Sequence, residues 1–334
     1  MRKVKGLKEF AELAGLSTGT VSRALSGSGR VSAQTRRRVT ELAEKLGYQP
    51  NLLAQRLRTQ TTKTIGVLVP LGHERLQHLS DPFFITMTGF LADELSDHGY
   101  DLLLSRVIPD NDQWLDRYID SGRVDGLIVV GQSNQMPVIH SVARRYRPMI
   151  VWGGRVSDQS YCVVGSDNRK GGATAARHLF ERGCRRIAYA GPVDGPEFGE
   201  RIAGARQALR RLKNPAGLIQ YKSRFEPNAA YEDLLPALRD SDTLPDGIFA
   251  GSDVTAISVL RALSALNIRV PEQVKVIGYD GLPIGELVSP PLTTVDQELR
   301  LGAKQIVELL LKRIGGEDTP SHLIKPRLIV RGST

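Results

Sequence analysis

Residues 7–50 read LKEFAELAGLSTGTVSRALSGSGRVSAQTRRRVTELAEKLGYQP. Leu7, Phe10, Ala11, Leu13 and Ala14 recur at helical spacing up to Gly15, a residue suited to a left-handed helix terminus. Ser17 then stands where an N-cap belongs, ahead of a short second helix over 18–26 with Val21, Ala24 and Leu25 inward and Thr18, Gly19, Ser22 and Arg23 outward. Ser32 caps a third helix carrying Val39, Leu42, Ala43 and Leu46, which Gly47 and Pro50 stop. Two short helices about a tight glycine turn make a helix-turn-helix, so the pattern predicts an all-α head.

The charge singles out the same stretch. Residues 1–63 hold 13 Lys or Arg against four acids, which is the whole net charge of +9, and the other 271 residues are neutral. A basic head on a neutral body points to a polyanion-binding unit attached to something that binds a different partner. The 334 residues suffice for two or three domains, and 41% hydrophobic with 24% charged residues favours neither a disordered chain nor a membrane protein. No apolar run reaches the roughly 18 residues of a transmembrane helix, and the basic Met1–Phe10 has no apolar stretch behind it, so a cytoplasmic, membrane-free protein is expected. Cys162 and Cys184 show no metal-ligand spacing and are expected to be buried packing residues.

From Lys63 onward the rhythm changes. Short β-rich runs, TIGVLVP, YDLLLSR, DGLIVVG, MIVW, CVVGSD, RIAYAG, LIQY, GIFAGS, VKVIGYD and TTVDQ, alternate with helical stretches. That alternation predicts parallel sheets with helices on both faces. About ten strands exceed one comfortable sheet, so an α/β body of two doubly wound lobes is expected, with ligand between the carboxyl ends of their strands.

The run GLSTGTVSRALSGSGRVSAQTRRRVTELAEKLGYQPNLLAQRLRTQTTKTIGVLVP resembles the N-terminus of the lactose-repressor and galactose-repressor (LacI/GalR) family of bacterial transcriptional regulators. Shorter matches continue through DPFF, VDGLIVVG, GSDNRKGG, RIAG, AGSD, VIGYDG and SPPLTTVDQ. The resemblance implies a head at 1–50, a hinge helix at 51–62 and a type I periplasmic-binding-protein-like body at 63–334. Its first lobe would span about 64–165 and 297–326, its second about 166–296 and 327–334. It also implies a homodimer on double-stranded operator DNA, a small effector between the lobes, and no enzyme activity, metal or cofactor.

By the same resemblance the second helix enters the major groove, with Thr18, Gly19 and Arg23 facing bases. Arginine grips guanine with two hydrogen bonds and threonine touches a thymine methyl, whereas Gly19 does neither. Thr20, Ser22, Ser32 and Thr35 fit phosphate contacts, which position the head without reading sequence. In the hinge, Asn51 and Gln55 lie beside Leu57, the position whose apolar side chain wedges into a minor-groove base step; the alternative is that Leu52, Leu53 and Leu57 dock on the body.

In the body, Arg201 of ERIAG matches the family's effector-gripping arginine, with a guanidinium fork suited to two adjacent oxygens. Asp280 in GYDG, and Ser252 with Asp253 in AGSD, match ligand positions, though an Asp there equally caps a helix. Phe83, Trp152 and Phe225 are aromatic candidates beside strand ends, and Gln132 and Ser105 are further polar ones. Gly153 stands where the lactose repressor has a sugar-binding Asp. GSDNRKGG looks like a phosphate loop, but Asn168 or Asp167 capping a helix that begins near Gly171 explains it. None of the six histidines has metal spacing or a GxSxG partner, and no GxxxxGK loop occurs.

Arg201 and Asp280 with Trp152 favour a carbohydrate effector, because sugar hydroxyls want such pairs plus one ring face. A purine or other metabolite acting as co-repressor is the alternative. A transport protein of the same fold lacks use for a basic head, and a sugar-processing enzyme needs an acid/base pair that is not evident.

Overall fold

The computed structural model describes residues 4, 6–25, 31–48, 61–71, 77–132, 134–212 and 217–334. Its contacts divide the chain into two units, residues 1–62 and 63–334.

The first unit contains α1 (Leu7–Ala14), α2 (Thr18–Leu25) and α3 (Ala33–Leu46). Gly15 (φ 62°) and Gly47 (φ 59°) close α1 and α3 in the left-handed conformation, their N–H groups turned back onto carbonyls of the last turn. Ser17 Oγ accepts from the Thr20 N–H at 3.1 Å, and Ser32 Oγ from the Thr35 N–H at 3.2 Å. Phe10, Val21, Ala24 and Val39 form the core, with Tyr48 stacked on Phe10 at 4.4 Å. Arg38 donates to the Ala14 carbonyl at 2.9 Å, tying α3 to the end of α1. Leu13 is 57% exposed, because Leu7, Phe10, Ala11 and Ala14 already fill the inward stripe of a two-turn helix.

The second unit is built on two six-stranded sheets. The first holds β1 (Thr64–Pro70), β2 (Asp101–Val107), β3 (Gly126–Val130), β4 (Met149–Trp152), β5 (Cys162–Ser166) and β11 (His322–Ile324), in the order β11-β5-β4-β3-β1-β2. The second holds β6 (Ile187–Gly191), β7 (Leu218–Lys222), β8 (Gly247–Ala250), β9 (Lys275–Asp280), β10 (Thr293–Asp296) and β12 (Arg327–Ile329), in the order β12-β10-β9-β8-β6-β7. Pairing is parallel except for β12, which runs antiparallel to β10. The chain passes between the sheets after β5, after β10 and after β11.

Central strands such as β3, β4 and β8 are buried at every position, which is why they read as unbroken apolar runs. Helices α4 (Pro82–Asp97), α5 (Asp116–Ile119), α6 (Met136–Ala143) and α12 (Leu299–Ile314) accompany the first sheet, and separate cores lie on its two faces. Helices α7 (Asn168–Glu181), α8 (Pro196–Arg211), α9 (Pro227–Arg239), α10 (Asp253–Ala265) and α11 (Ile284–Leu287) accompany the second, again with a core on each face. Among the described residues no helix is long and apolar enough to cross a membrane.

Candidate functional site

The carboxyl ends of β1, β3, β4 and β5 from one sheet and of β8 and β9 from the other converge on a cavity of about 470 Å³. Doubly wound sheets bind their ligands at such a crevice, and the volume falls in the range of small-molecule sites. Arg201 lies at its floor, 4% exposed.

Two glycines set the depth of that arginine. A Cβ on Gly172 of α7 would stand 1.9 Å from the Arg201 carbonyl, and one on Gly204 of α8 would stand 1.9 Å from the Arg169 carbonyl. Helices α7 and α8 therefore pack backbone to backbone through Gly172 and Gly204, while Gly171 makes room for the Tyr279 ring and Gly165 for the Gly153 backbone, so the glycines of GSDNRKGG serve packing. The cap of α7 is Asp167, whose Oδ1 accepts from the Lys170 N–H at 3.0 Å, and the helix begins at Asn168, three residues before the expected start.

Arg201 Nε donates to Asn168 Oδ1 at 2.8 Å and Nη1 donates to the Gly251 carbonyl. Nη1 is also 3.8 Å from Asp280 Oδ1, and the guanidinium lies 3.8 Å over the Tyr279 ring and 4.9 Å from that of Phe198. These bonds take two of its five N–H donors. Asp280 ends β9 with φ 120°, a left-handed conformation that costs strain in a non-glycine residue. Gln297 donates to its Oδ1 at 2.7 Å. Burial lifts the Asp280 carboxyl to about 7, while Arg201 and Gln297 pull it down and Asp81 adds to the rise. Asp81 caps α4, accepting from the Phe83 N–H at 2.9 Å and from Gln77 at 3.1 Å, and burial raises its pKa too.

The walls are aromatic. Trp152, buried against Gly302 of α12, faces the cavity with Phe83 and Phe84. Phe225 joins them from the other lobe, packed edge-on to Phe198 at 5.2 Å. Among the described lining residues four are carboxylic, Asp81, Asp194, Glu197 and Asp280, against the single cation Arg201.

Of the body residues singled out in the sequence, Arg201, Asp280, Trp152, Phe225, Phe83, Gln132 and Ser252 line this cavity. Ser105 does not: it pairs with Leu68 inside the edge strand β2, two residues before the strand ends, and lines a separate depression with Arg117 and Tyr118. Asp253 is also corrected. It is fully buried behind the cavity wall, accepting from the Leu282 N–H at 2.7 Å and the Thr294 hydroxyl at 2.6 Å, so it braces the Asp280 loop. Burial, reinforced by the charge of Asp280, raises its pKa well above the usual range. Ser252 caps α10 through the Thr255 N–H at 3.0 Å. The Gln132 amide is occupied by Tyr161 and Gly154.

Sequence reasoning missed Asp81, Glu197 and Gln297 and gave Asn168 only a capping role. The signal for Asp81 was present, since Asp before Pro marks a helix start. Gln297 and Glu197 carry no comparable local signature.

In the head, Thr18 and Arg23 are exposed on α2, while Gly19, Thr20 and Ser22 are half-buried. The bare Gly19 leaves room beside it for the Arg23 guanidinium, whose terminal nitrogens lie 3.8 Å from where a Cβ would be. The Thr20 hydroxyl is 2.9 Å from Ser17 Oγ and that of Thr35 is 2.9 Å from Ser32 Oγ, so these hydroxyls complete caps. Asn51, Gln55 and Leu57 lie outside the described residues.

A helix-turn-helix head joined to a two-lobed body with an interlobe cavity is the build of a DNA-binding transcriptional regulator. The family model for bacterial regulatory proteins of the lacI family matches residues 6–51, and that for a periplasmic binding protein-like domain matches residues 176–334. The HTH-type transcriptional regulator CelR of Thermobifida fusca is 34% identical over 345 residues, 99% of each chain. The sucrose operon repressor of Streptococcus mutans is 30% identical over 340 residues, again 99% of each. The structure of a transcriptional regulator CelR-cellobiose complex is similar with a TM-score of 0.69 at 31% identity, covering 99% of this chain and 100% of that one. The chain belongs to the LacI family of bacterial transcriptional regulators, and such relatives are named as regulators and repressors rather than enzymes.

Proposed function

We propose that this chain is a cytoplasmic repressor that binds operator DNA as a homodimer and is controlled by a neutral carbohydrate of about disaccharide size held between its lobes. The observation that carries the reading is the cavity itself, which the buried Arg201–Asp280 pair and the Trp152 ring line together. Sugar hydroxyls are matched by carboxylate and guanidinium groups, and the apolar face of a pyranose by an aromatic ring. Among the described lining residues, four carboxylic side chains against one arginine disfavour phosphorylated sugars and nucleotides, because any of the four that is ionised meets their anionic groups with like charge. The similar CelR structure is that of a complex with cellobiose, a neutral disaccharide.

For the head, Thr18 and Arg23 are the proposed base readers, and Leu57 the proposed minor-groove wedge with Asn51 and Gln55 beside it. The second reading, a purine co-repressor, draws on the Phe198–Phe225 pair and the amides of Gln77, Asn168 and Gln297, which suit a flat base with edge donors. A thermal-shift screen of mono- and disaccharides, purine bases and sugar phosphates separates the two. A binding compound at 100 times its Kd adds about 2.7 kcal/mol. Stabilisation by neutral disaccharides supports the first reading, and stabilisation by purines alone replaces it with the second.

A further inference from the structure

The two lobes are joined across the cavity by one backbone residue whose polar groups are both taken by side chains. The Gly154 N–H donates to Glu197 Oε1 at 2.9 Å, and the Gly154 carbonyl accepts from Gln132 Nε2. Gln132 is fully buried and is itself held by Tyr161, whose hydroxyl donates to its Oε1 at 2.6 Å. Gln132, Gly154 and Tyr161 flank strands of the first sheet, whereas Glu197 sits in the first turn of α8, in the lobe of the second sheet. The carboxylate is well placed there, since the amino end of a helix favours negative charge.

Gly153 explains how Glu197 reaches across. A Cβ on Gly153 would stand 2.5 Å from Gln132 Nε2 and 2.9 Å from Glu197 Oε1, so the space an ordinary side chain would fill is already occupied by these two. Its neighbour differs. A Cβ on Gly154 would meet nothing closer than 3.7 Å, an ordinary contact, and neither glycine has a positive φ that would itself exclude alanine.

We propose that Glu197 is a positioning residue that latches the lobes together across the cleft, and that residue 153 is glycine because the latch needs its missing side chain. A bond made in one lobe arrangement and lost in another biases the first, so the latch favours lobe approach before any ligand arrives and sets how much further an effector has to shift the equilibrium. Its consequence for signalling rests on the effector role proposed above; the latch does not.

The test therefore contains no ligand. Amide hydrogen exchange is followed by mass spectrometry on the full chain for the parent and for Glu197→Ala, Glu197→Gln, Gly153→Ala and Gly154→Ala, corrected for intrinsic rates. Loss of a hydrogen bond to a charged acceptor is expected to speed exchange at residue 154 on the order of tenfold in Glu197→Ala and Gly153→Ala. Gly154→Ala should match the parent, Glu197→Gln should recover part of the protection because its Oε1 still accepts, and amides of β4 and β6 should be unchanged in all. Parent-like exchange at residue 154 in Glu197→Ala or Gly153→Ala overturns the latch, as does equal acceleration in both alanine variants at 153 and 154. If Glu197→Ala fails to fold, the two glycine variants decide alone. Failure of the effector reading would show in the ligand screen and leave this result interpretable.

Discussion

Removing the Arg201 side chain should cost stability in a way that depends steeply on pH. In the parent, the Asp280 carboxyl has a folded pKa of about 7 against an ordinary value of 3.8, so the folded state binds that proton more tightly than the unfolded one. The associated stability is present in full below about pH 4, declines as pH rises through the window to about 7, and is constant above it. Arg201 is among the groups holding that pKa down. Arg201→Ala removes this restraint, so the Asp280 pKa climbs further and stability keeps falling above pH 7. At pH 8.5 the variant holds Asp280 either as a buried, unpaired carboxylate or as an acid kept protonated against the solvent pH, and breaking such a pair costs about 3–5 kcal/mol. At pH 6, where Asp280 is protonated in both proteins, the loss reduces to the orphaned Asn168 Oδ1 and Gly251 carbonyl, about 1–3 kcal/mol. The assay is urea unfolding followed by tryptophan fluorescence at the two pH values. Trp114 and Trp152, the two tryptophans, both belong to the 63–334 unit, so the signal reports that unit and not the head. A loss of equal size at pH 6 and 8.5, or one under about 1 kcal/mol at pH 8.5, would show that Arg201 does not hold the Asp280 charge in the folded body.

Gly172→Ala should push α7 off α8 and destabilise the body by about 1–3 kcal/mol, whereas Gly199→Ala on the same helix pair, with nothing within 4 Å, should be neutral or stabilising; thermal melts of both variants check this. Ser32→Ala removes the cap of α3 and should lower head stability by about 1 kcal/mol, read by far-UV circular dichroism, without moving the tryptophan transition. Arg23→Ala should relax base preference at one operator position by about 1–3 kcal/mol in competition binding with substituted duplexes. Effector affinity should weaken as pH falls from 8 to 6, because a protonated Asp280 accepts hydroxyl hydrogen bonds less well; calorimetric titration at both values gives the sign.

The fold is legible wherever burial makes the pattern strong. The ten quoted strands are β1 to β10: the central ones show continuous apolar runs because both of their faces are covered, whereas the edge strands β2 and β7, largely uncovered, are legible from their β-rich composition. Strands β11 and β12 escaped notice: each has three residues, mixed with charge, and exists through pairing with β5 or β10 rather than through its own composition. The cleft was legible through the family match for Arg201 and Asp280, and through a scarce aromatic residue at a strand end for Trp152. It was not where geometry decides. Ser105 looks like a strand-end polar residue in LLLSR, but β2 runs on to Val107 and keeps it inside an edge strand. Asp253 follows a strand as ligand residues do, yet the first turn of α10 directs it toward Leu282 and Thr294. Glu197 acts through a backbone group 43 residues away, on the opposite lobe, which no local spacing announces.

The most direct test of the central claim is the operator affinity of the full chain at fixed salt, measured by fluorescence anisotropy on a duplex selected from a randomised pool, with and without neutral disaccharides, purine bases and sugar phosphates. At least one neutral disaccharide is expected to change Kd by about tenfold or more, and Arg201→Lys, whose ammonium cannot reproduce the guanidinium contacts, to suppress the change. A change produced only by purines or sugar phosphates, or an undiminished disaccharide response in the lysine variant, would contradict that claim.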